Sequence, residues 1–188
     1  MTGTIAIKEK GAIQCLCQTE RKMGMQIRKS TPEDLERMLE IYACARAFMA
    51  KTGNPRQWGP NQWPPRALLE QDIRSGDSYV CEENGRVVGT FYFVQGKDIE
   101  PTYAVIEDGA WLCDAPYGVV HRIAGDGSVK GIGSFCIAWA YDQCHHLRID
   151  THADNRVMQG LLHKLGFTHC GTIYVHEDHD PRLAYEKV

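Results

Sequence analysis

A glycine-rich turn, followed at once by an apolar helical segment, is the feature of this sequence that points most directly to binding chemistry. It reads Gly-Asp-Gly-Ser-Val-Lys-Gly-Ile-Gly-Ser over residues 125–134. The first N–H groups of a helix have no intrahelical partner and favour the binding of an anion at that end of the helix. Gly131 and Gly133 let such an anion approach the backbone closely, and Lys130 adds a positive charge. The turn therefore predicts a phosphate site, although a Gly-x-Gly alone is equally typical of an ordinary tight turn.

Histidines and cysteines raise the separate question of a metal site. All eight histidines follow residue 120, and some of them adjoin Cys144 and Cys170. Neither group gives two ligands at a tight zinc spacing together with a second matching pair. Cys15 and Cys17 are one residue apart, which is the wrong spacing for a zinc knuckle. We therefore predict no metal, and we expect the eight cysteines to be mostly buried free thiols.

Two motifs resemble those of the GNAT superfamily of acyl-CoA-dependent N-acetyltransferases. The stretch Val-Lys-Gly-Ile-Gly at 129–133 is similar to the family's Arg/Gln-x-x-Gly-x-Gly/Ala phosphate loop, with Ser128 where arginine or glutamine is usual. Further on, Asn155 begins Asn-Arg-Val-Met, and Lys-Leu-Gly-Phe follows at 164–167. The resemblance implies a central sheet whose fourth and fifth strands splay apart around the pantetheine arm of the cofactor.

The same resemblance implies that acetyl-CoA is the acyl donor, and it assigns binding roles to individual residues. The strand edge at Ile123 and Ala124 would pair with the pantetheine amides, and Asn155 would hydrogen-bond to the pantetheine. Asn155 is also well suited to cap the helix that follows it. The pyrophosphate would lie on the backbone of the turn, formed by Ser128, Val129, Lys130, Gly131, Ile132, Gly133 and Ser134.

Transfer of an acetyl group to an amine needs a base that takes a proton from the ammonium. His121 is the first candidate, because strand alternation would place it on the same face as Ile123, beside the expected thioester. Glu107 and Asp108 are alternatives, and His152 is a fourth candidate. A strand histidine without a chemical role and a solvated acidic loop fit the same residues.

The resemblance does not supply a residue that protonates the leaving thiolate. Many family members place a tyrosine seven residues after the motif's asparagine, where this chain has Leu162. Water, His163 or Tyr174 would have to act instead.

The leading hypothesis is an acetyltransferase acting on a small-molecule or peptide amine. The loss of the tyrosine favours the alternative, a non-catalytic acyl-CoA-binding or regulatory module on the same fold.

These residues must be positioned by a mixed α/β fold, and the apolar pattern predicts the order β-α-α-β-β-β-α-β-α-β-β. Ser-Thr-Pro-Glu-Asp at 30–34 is a helix start, and Asn-Gly at 84–85 predicts a hairpin. Loop 53–65 carries Trp58 and Trp63, which would either line the acceptor site or cap the core. We expect a layered, GNAT-like α/β domain with a mixed, mostly antiparallel central sheet, helices on both faces, and splayed fourth and fifth strands.

Composition limits the remaining function classes. A net charge of -3 argues against nucleic acid or an anionic membrane as the main partner. No apolar stretch approaches the roughly 18 residues of a membrane span, and the first residues lack a secretory layout, so we expect a cytoplasmic protein. Residues 25–188 would form a single domain and residues 1–24 an extension. A homodimer is left open.

Overall fold

The computed structural model describes residues 24–59, 61–175 and 180–188. The predicted order of helices and strands is confirmed over these ranges, whereas the predicted N-terminal extension lies almost entirely outside them. The helices are α1 Leu35–Lys51, α2 Arg66–Ser75, α3 Ile132–Cys144 and α4 Arg156–Lys164. The strands are β1 Gln26–Lys29, β2 Ser78–Glu83, β3 Arg86–Gly96, β4 Tyr117–Gly125, β5 Leu147–His152, β6 Thr168–Tyr174 and β7 Pro181–Lys187.

The seven strands form a sheet in the order β1-β2-β3-β4-β5-β7-β6. Among the described residues, neighbouring strands run antiparallel except β4 and β5, which run parallel. The β2–β3 hairpin turns at Asn84 and Gly85, whose φ angles of 52° and 77° suit the two central positions of a primed turn. The predicted fold class, a mostly antiparallel mixed sheet with helices, is therefore confirmed.

Helices cover both faces of the sheet, as alternation along the strands requires. Val80, Val87 and Ala124 point to one face and pack with the buried side of α1 and with α2. Cys81 and Val88, each next in sequence to a residue of the first set, point to the other face and pack with α3 and α4. The first face is buried by residues of α1 that recur at helical spacing, namely Leu35, Met38, Ile41, Tyr42, Ala45 and Met49.

The long connection between β3 and β4 continues the first layer beyond the helices. It contains a 3-10 turn, Pro101–Tyr103, and Tyr103 is buried against Tyr117, Val119 and Ile173. Farther along, the backbones of Glu107 and Thr172 exchange two hydrogen bonds of 2.8 Å. The connection is therefore a packed part of the domain, and it brings Glu100 over β4, in the middle of the sheet.

A buried cluster of charged groups joins this connection to β5 and β7. Glu186 is fully buried, and its Oε1 accepts hydrogen bonds from His146 Nε2 at 2.6 Å and Arg148 Nε at 2.9 Å. Its Oε2 accepts from the Leu112 backbone N–H. The Arg148 guanidinium lies over the Trp111 ring, 4.3 Å from its centroid. These contacts satisfy a charge that would otherwise be costly to bury.

Two properties of the described residues bear on function class. None of their helices is long and apolar enough to cross a membrane. Nor do three or more His, Cys, Asp or Glu side chains from these ranges come together in a group that would hold a metal ion. The cysteines at positions 44, 81, 113, 136, 144 and 170 are free thiols.

Candidate active site

A cleft opens where β4 and β5 part. The two strands pair at Gly118 with Leu147 and at Val119 with Arg148, and the described pairing ends there although both strands continue. The cleft beyond has a volume of about 1000 Å³, a size typical of ligand sites. The splayed fourth and fifth strands implied by the resemblance are therefore present. The cleft is bordered by α1, the loop after it, β4, the turn at 125–131, β5, α4 and the start of β7.

A β-bulge in β4 shapes the cleft wall. Thr90 pairs with Ala124, and Tyr92 pairs with His121. Between these two pairs β3 advances by two residues and β4 by three, so β4 contains one extra residue. Arg122, at the bulge, has a φ of 52°. Its guanidinium binds Asp72 at 2.8 Å. The bulge therefore interrupts the alternation of side chains along the strand.

Because of the bulge, His121 and Ile123 do not share a face of the sheet. The prediction from strand alternation that they do is wrong. Ile123 packs with the α3 and α4 layer, together with Val120, whereas His121 contacts Glu100 and lies close to Tyr103 on the opposite side. Both residues nevertheless border the cleft, because the parting of β4 and β5 opens the sheet to both layers.

The glycine-rich turn lies at one end of the cleft, at the N-terminus of α3. Gly131 is the residue before the helix and has a φ of 86°, a left-handed conformation that glycine adopts without strain. A Cβ atom at Gly127 or Gly131 would meet no other atom within 4 Å. The turn therefore leaves open space beside the first helical N–H groups, as a phosphate site requires. Of the predicted phosphate-binding residues, Val129, Gly131, Ile132 and Gly133 border the cleft.

Asp126 holds this turn in position. Its Oδ1 accepts hydrogen bonds from Ser128 N at 2.8 Å and Ser128 Oγ at 2.6 Å. Its Oδ2 accepts from the guanidinium groups of Arg37 and Arg86. Burial opposes ionisation of Asp126, but the Ser128 donors and Arg37 outweigh it and hold the pKa of the carboxyl below its usual value. The two arginines neutralise a carboxylate that would otherwise repel an anion bound at the turn.

Asn155 makes two contacts where α4 begins. Its Oδ1 accepts from the Met158 backbone N–H at 3.1 Å, so the helix cap anticipated from the sequence is present. Its Nδ2 donates to Gln57 Oε1 at 3.0 Å, and Asn54 Nδ2 donates to the same oxygen at 2.8 Å. Gln57 thus links the loop after α1 to α4 across the cleft, next to Trp58, which packs against Tyr42 and also borders the cleft.

His121 borders the cleft between two acidic side chains, two residues beyond the last pair that joins β4 to β5. Its Nε2 is 2.8 Å from Glu100 Oε2, and its Nδ1 is 3.9 Å from Asp150 Oδ2. Asp150 Oδ2 also accepts a hydrogen bond of 2.8 Å from the Tyr103 hydroxyl. A histidine flanked by carboxylates at a ligand-sized cleft has the surroundings of a general base.

The other candidates from the sequence lie elsewhere. Glu107 and Tyr174 interact with each other, and the negative charge of Glu107 raises the pKa of the Tyr174 hydroxyl. Neither residue borders the cleft, nor do Asp108 and His163. His152 is buried, and its Nδ1 accepts from the Asp154 backbone N–H at 3.0 Å, which occupies that ring nitrogen. Of the proposed bases and acids, the structure brings His121 alone to the cleft.

Three cleft residues were not singled out as functional from the sequence. Glu100 contacts His121 across 21 positions of the chain, and no local pattern signals this contact. Asp150 had a usable signal, since it is an acidic residue within a short, mostly buried strand. Thr151 borders the cleft, and its buried hydroxyl has no hydrogen-bond partner among the described residues. A buried polar atom of this kind fits a bound polar ligand.

Comparisons with known proteins agree with this architecture. A sequence model of the acetyltransferase (GNAT) family matches residues 35–167. A crystal structure of a GNAT-family acetyltransferase from Streptococcus agalactiae is 34% identical, with a TM-score of 0.74 over 87% of this chain and 95% of that one. No match is found among curated proteins.

More distant structures share the fold alone. A GNAT-family acetyltransferase from Listeria monocytogenes is 18% identical, with a TM-score of 0.64 over 87% of this chain and 94% of that one. A ribosomal-protein-alanine N-acetyltransferase from Brucella melitensis is 20% identical, with a TM-score of 0.55 over 87% and 99%. Because the family model spans well over half of the sequence, and the Streptococcus agalactiae structure is similar over nearly its whole length, the chain belongs to the GNAT family of acetyltransferases.

Proposed function

We propose that the chain transfers the acetyl group of acetyl-CoA to the amine of a small molecule or a peptide. The observation that carries the proposal is the cleft between β4 and β5, with an open helix N-terminus at one end and His121 deeper inside. The pyrophosphate would lie at the N-terminus of α3, and the pantetheine would run between the strands toward His121. The free cysteines of the described residues support a reducing compartment such as the cytoplasm for this activity.

In the proposed reaction, the acceptor ammonium loses a proton and the free amine attacks the thioester carbonyl carbon. The carbon–sulfur bond then breaks, the acetylated nitrogen releases its second proton to water, and CoA leaves as a thiolate that takes up a proton. A thiol has a pKa of about 8.5, so water can supply that proton near neutral pH. Leu162, which replaces the usual tyrosine, is fully buried, and the proposed reaction does not need an acid there.

Thiol release from acetyl-CoA, measured with a panel of small amines and short peptides, tests the activity directly. Mass spectrometry of the products should show one added acetyl group. CoA binding measured by calorimetry forms the second arm of the experiment. Tight CoA binding without thiol release for any amine would favour the alternative, a non-catalytic acyl-CoA-binding module.

Gly131→Asp should weaken CoA binding about tenfold, equivalent to about 1.4 kcal/mol. The substitution adds a negative charge at the helix N-terminus, together with a Cβ atom in a left-handed conformation. Calorimetric titration with CoA would measure the effect. Gly166→Asp is a matched control, because Gly166 also has a left-handed φ (82°) and an open Cβ position, but does not border the cleft. Equal CoA affinity in the two variants would contradict the assignment of a phosphate site to the turn.

Asn155→Ala should lower kcat/KM for acetyl transfer by more than its loss of stability explains. Loss of the cap alone costs about 0.5–2 kcal/mol of stability. Asn155→Asp is the informative partner variant, because aspartate still caps the helix but cannot donate a hydrogen bond. If both variants transfer normally while Asn155→Ala melts at a lower temperature, the residue acts as a cap alone.

A further inference from the structure

Glu100 is oriented by three donors. Its Oε1 accepts from Thr102 N at 3.2 Å and from Thr102 Oγ1 at 2.7 Å, and its Oε2 faces His121 Nε2 at 2.8 Å. Burial by itself would raise the pKa of this carboxyl, but His121 and the Thr102 donors hold it at about 2. Glu100 is therefore ionised in the neutral range and can only accept hydrogen bonds.

This fixes which ring nitrogen of His121 carries the proton. Since the Glu100 carboxylate has no proton to give, the hydrogen bond between them requires a proton on Nε2. In the neutral imidazole, the lone pair then lies on Nδ1. Glu100 thus selects the tautomer whose basic nitrogen is turned away from Glu100 and toward Asp150.

The space between His121 Nδ1 and Asp150 suits a cationic nitrogen. The distance of 3.9 Å from Nδ1 to Asp150 Oδ2 is too long for a direct hydrogen bond. A nitrogen atom beside the pair can lie about 2.9 Å from both atoms and donate one hydrogen to each. Both residues border the cleft. Asp150 Oδ2 accepts from Tyr103, whose burial raises its pKa well above the usual value, and a carboxylate oxygen can accept a second hydrogen bond.

We propose that the acceptor ammonium docks between His121 Nδ1 and the Asp150 carboxylate, with Glu100 as the residue that positions His121. This inference rests on the proposed function. Asp150 binds the ammonium, and one N–H proton passes to His121 Nδ1. The nitrogen lone pair set free by that transfer forms the bond to the acetyl carbon, and the carbon–sulfur electron pair leaves with CoA as a thiolate. The second proton that the acetylated nitrogen loses passes through water to this thiolate. The imidazolium left behind lies between two carboxylates.

Charged and titratable groups surround His121. The carboxylates of Glu100 and Asp150 adjoin the ring, and both would attract an imidazolium formed there during the reaction. The remaining titratable neighbours come from β3, β4, α2 and the connection before β4. They are Tyr92, Arg122 paired with Asp72, and Tyr103. Removing the charge of Glu100 while keeping its shape should therefore move the acid limb of the rate profile to lower pH.

Glu100→Gln and Asp150→Asn test the two roles separately, using the amine from the panel that gives the fastest thiol release. Glu100→Gln should lower kcat about tenfold and move the acid limb of the kcat/KM profile down by about one pH unit. Asp150→Asn should raise KM for the amine at least tenfold, because a carboxylate that binds the ammonium has been neutralised. Neither variant should change CoA affinity. NMR titration of the His121 ring provides a readout that does not depend on turnover.

Matched controls and outcomes separate this inference from the proposed function. Glu70→Gln and Asp142→Asn remove carboxylates away from the cleft and should leave every parameter unchanged. If the wild-type protein releases thiol but Glu100→Gln keeps the same acid limb and the same His121 titration, the positioning role of Glu100 is overturned. An unchanged amine KM in Asp150→Asn overturns the docking site. If the wild-type protein binds CoA and acetylates no amine in the panel, the proposed function fails, and this inference fails with it.

Discussion

His121→Ala should lower kcat/KM for acetyl transfer by about 10²- to 10⁴-fold, which is the usual contribution of a general base. CoA affinity should be unchanged, because the predicted phosphate site lies at the N-terminus of α3, at the other end of the cleft. The wild-type profile should rise through a value set by the histidine, whose ordinary pKa is about 6.5, and the variant should lose that rise. Steady-state rates between about pH 5 and 9, with calorimetry for CoA, measure both quantities.

Two further substitutions make this result specific. His169→Ala removes an exposed histidine of β6 that packs on Tyr185, and it should leave the profile intact. Glu107→Gln tests the carboxylate that was an alternative base from the sequence and that lies outside the cleft. If His121→Ala is fully active and Glu107→Gln loses the acid limb, the base role passes to Glu107 acting through water.

Glu186→Ala should lower the free energy of unfolding by about 3–5 kcal/mol, the range for breaking a buried ion pair by removing one partner. The substitution would leave the buried Arg148 guanidinium without its carboxylate, and would deprive His146 and the Leu112 N–H of an acceptor. Domains are typically stable by only about 5–15 kcal/mol, so such a loss should be evident in the urea midpoint.

An exposed ion pair gives the comparison for this loss. Glu36 binds Arg66 at 2.6 Å, but its side chain is 75% exposed. Glu36→Ala should therefore change stability by less than about 1 kcal/mol. A similar small change in Glu186→Ala would mean that the cluster around Arg148 is nearly neutral in energy, with desolvation offsetting the attraction between its charges.

Local features of this fold could be predicted from the sequence because their causes are local. The hairpin follows from Asn84 and Gly85, which accept positive φ angles at adjacent positions. The helix start at residues 31–34 follows from a capping box, in which Asp34 accepts from the Thr31 N–H at 2.8 Å. The turn before α3 was found because glycine spacing reports backbone conformation directly.

Features that depend on contacts between distant segments could not be predicted from the sequence. The bulge at Arg122 reverses the side-chain alternation of β4, and the residues around it do not indicate an extra residue in the strand. The contact of Asn155 with Gln57 joins positions 98 apart. Glu100 reaches His121 because the connection before β4 folds back over the sheet, which packing around Tyr103 determines. Alternation and spacing carry no information about such contacts.

The short contact between β4 and β5 divides the sheet into two halves, β1–β4 and β5–β7–β6, that share two residue pairs. If the pantetheine runs between these two strands as proposed, its amides would take the place of hydrogen bonds that the two halves do not make with each other. Acetyl-CoA would then act as a temporary strand as well as a reactant, and its binding free energy would add to the stability of the whole domain. The supply of donor in the cell would in that case influence how long the folded chain survives, even when no acceptor amine is present.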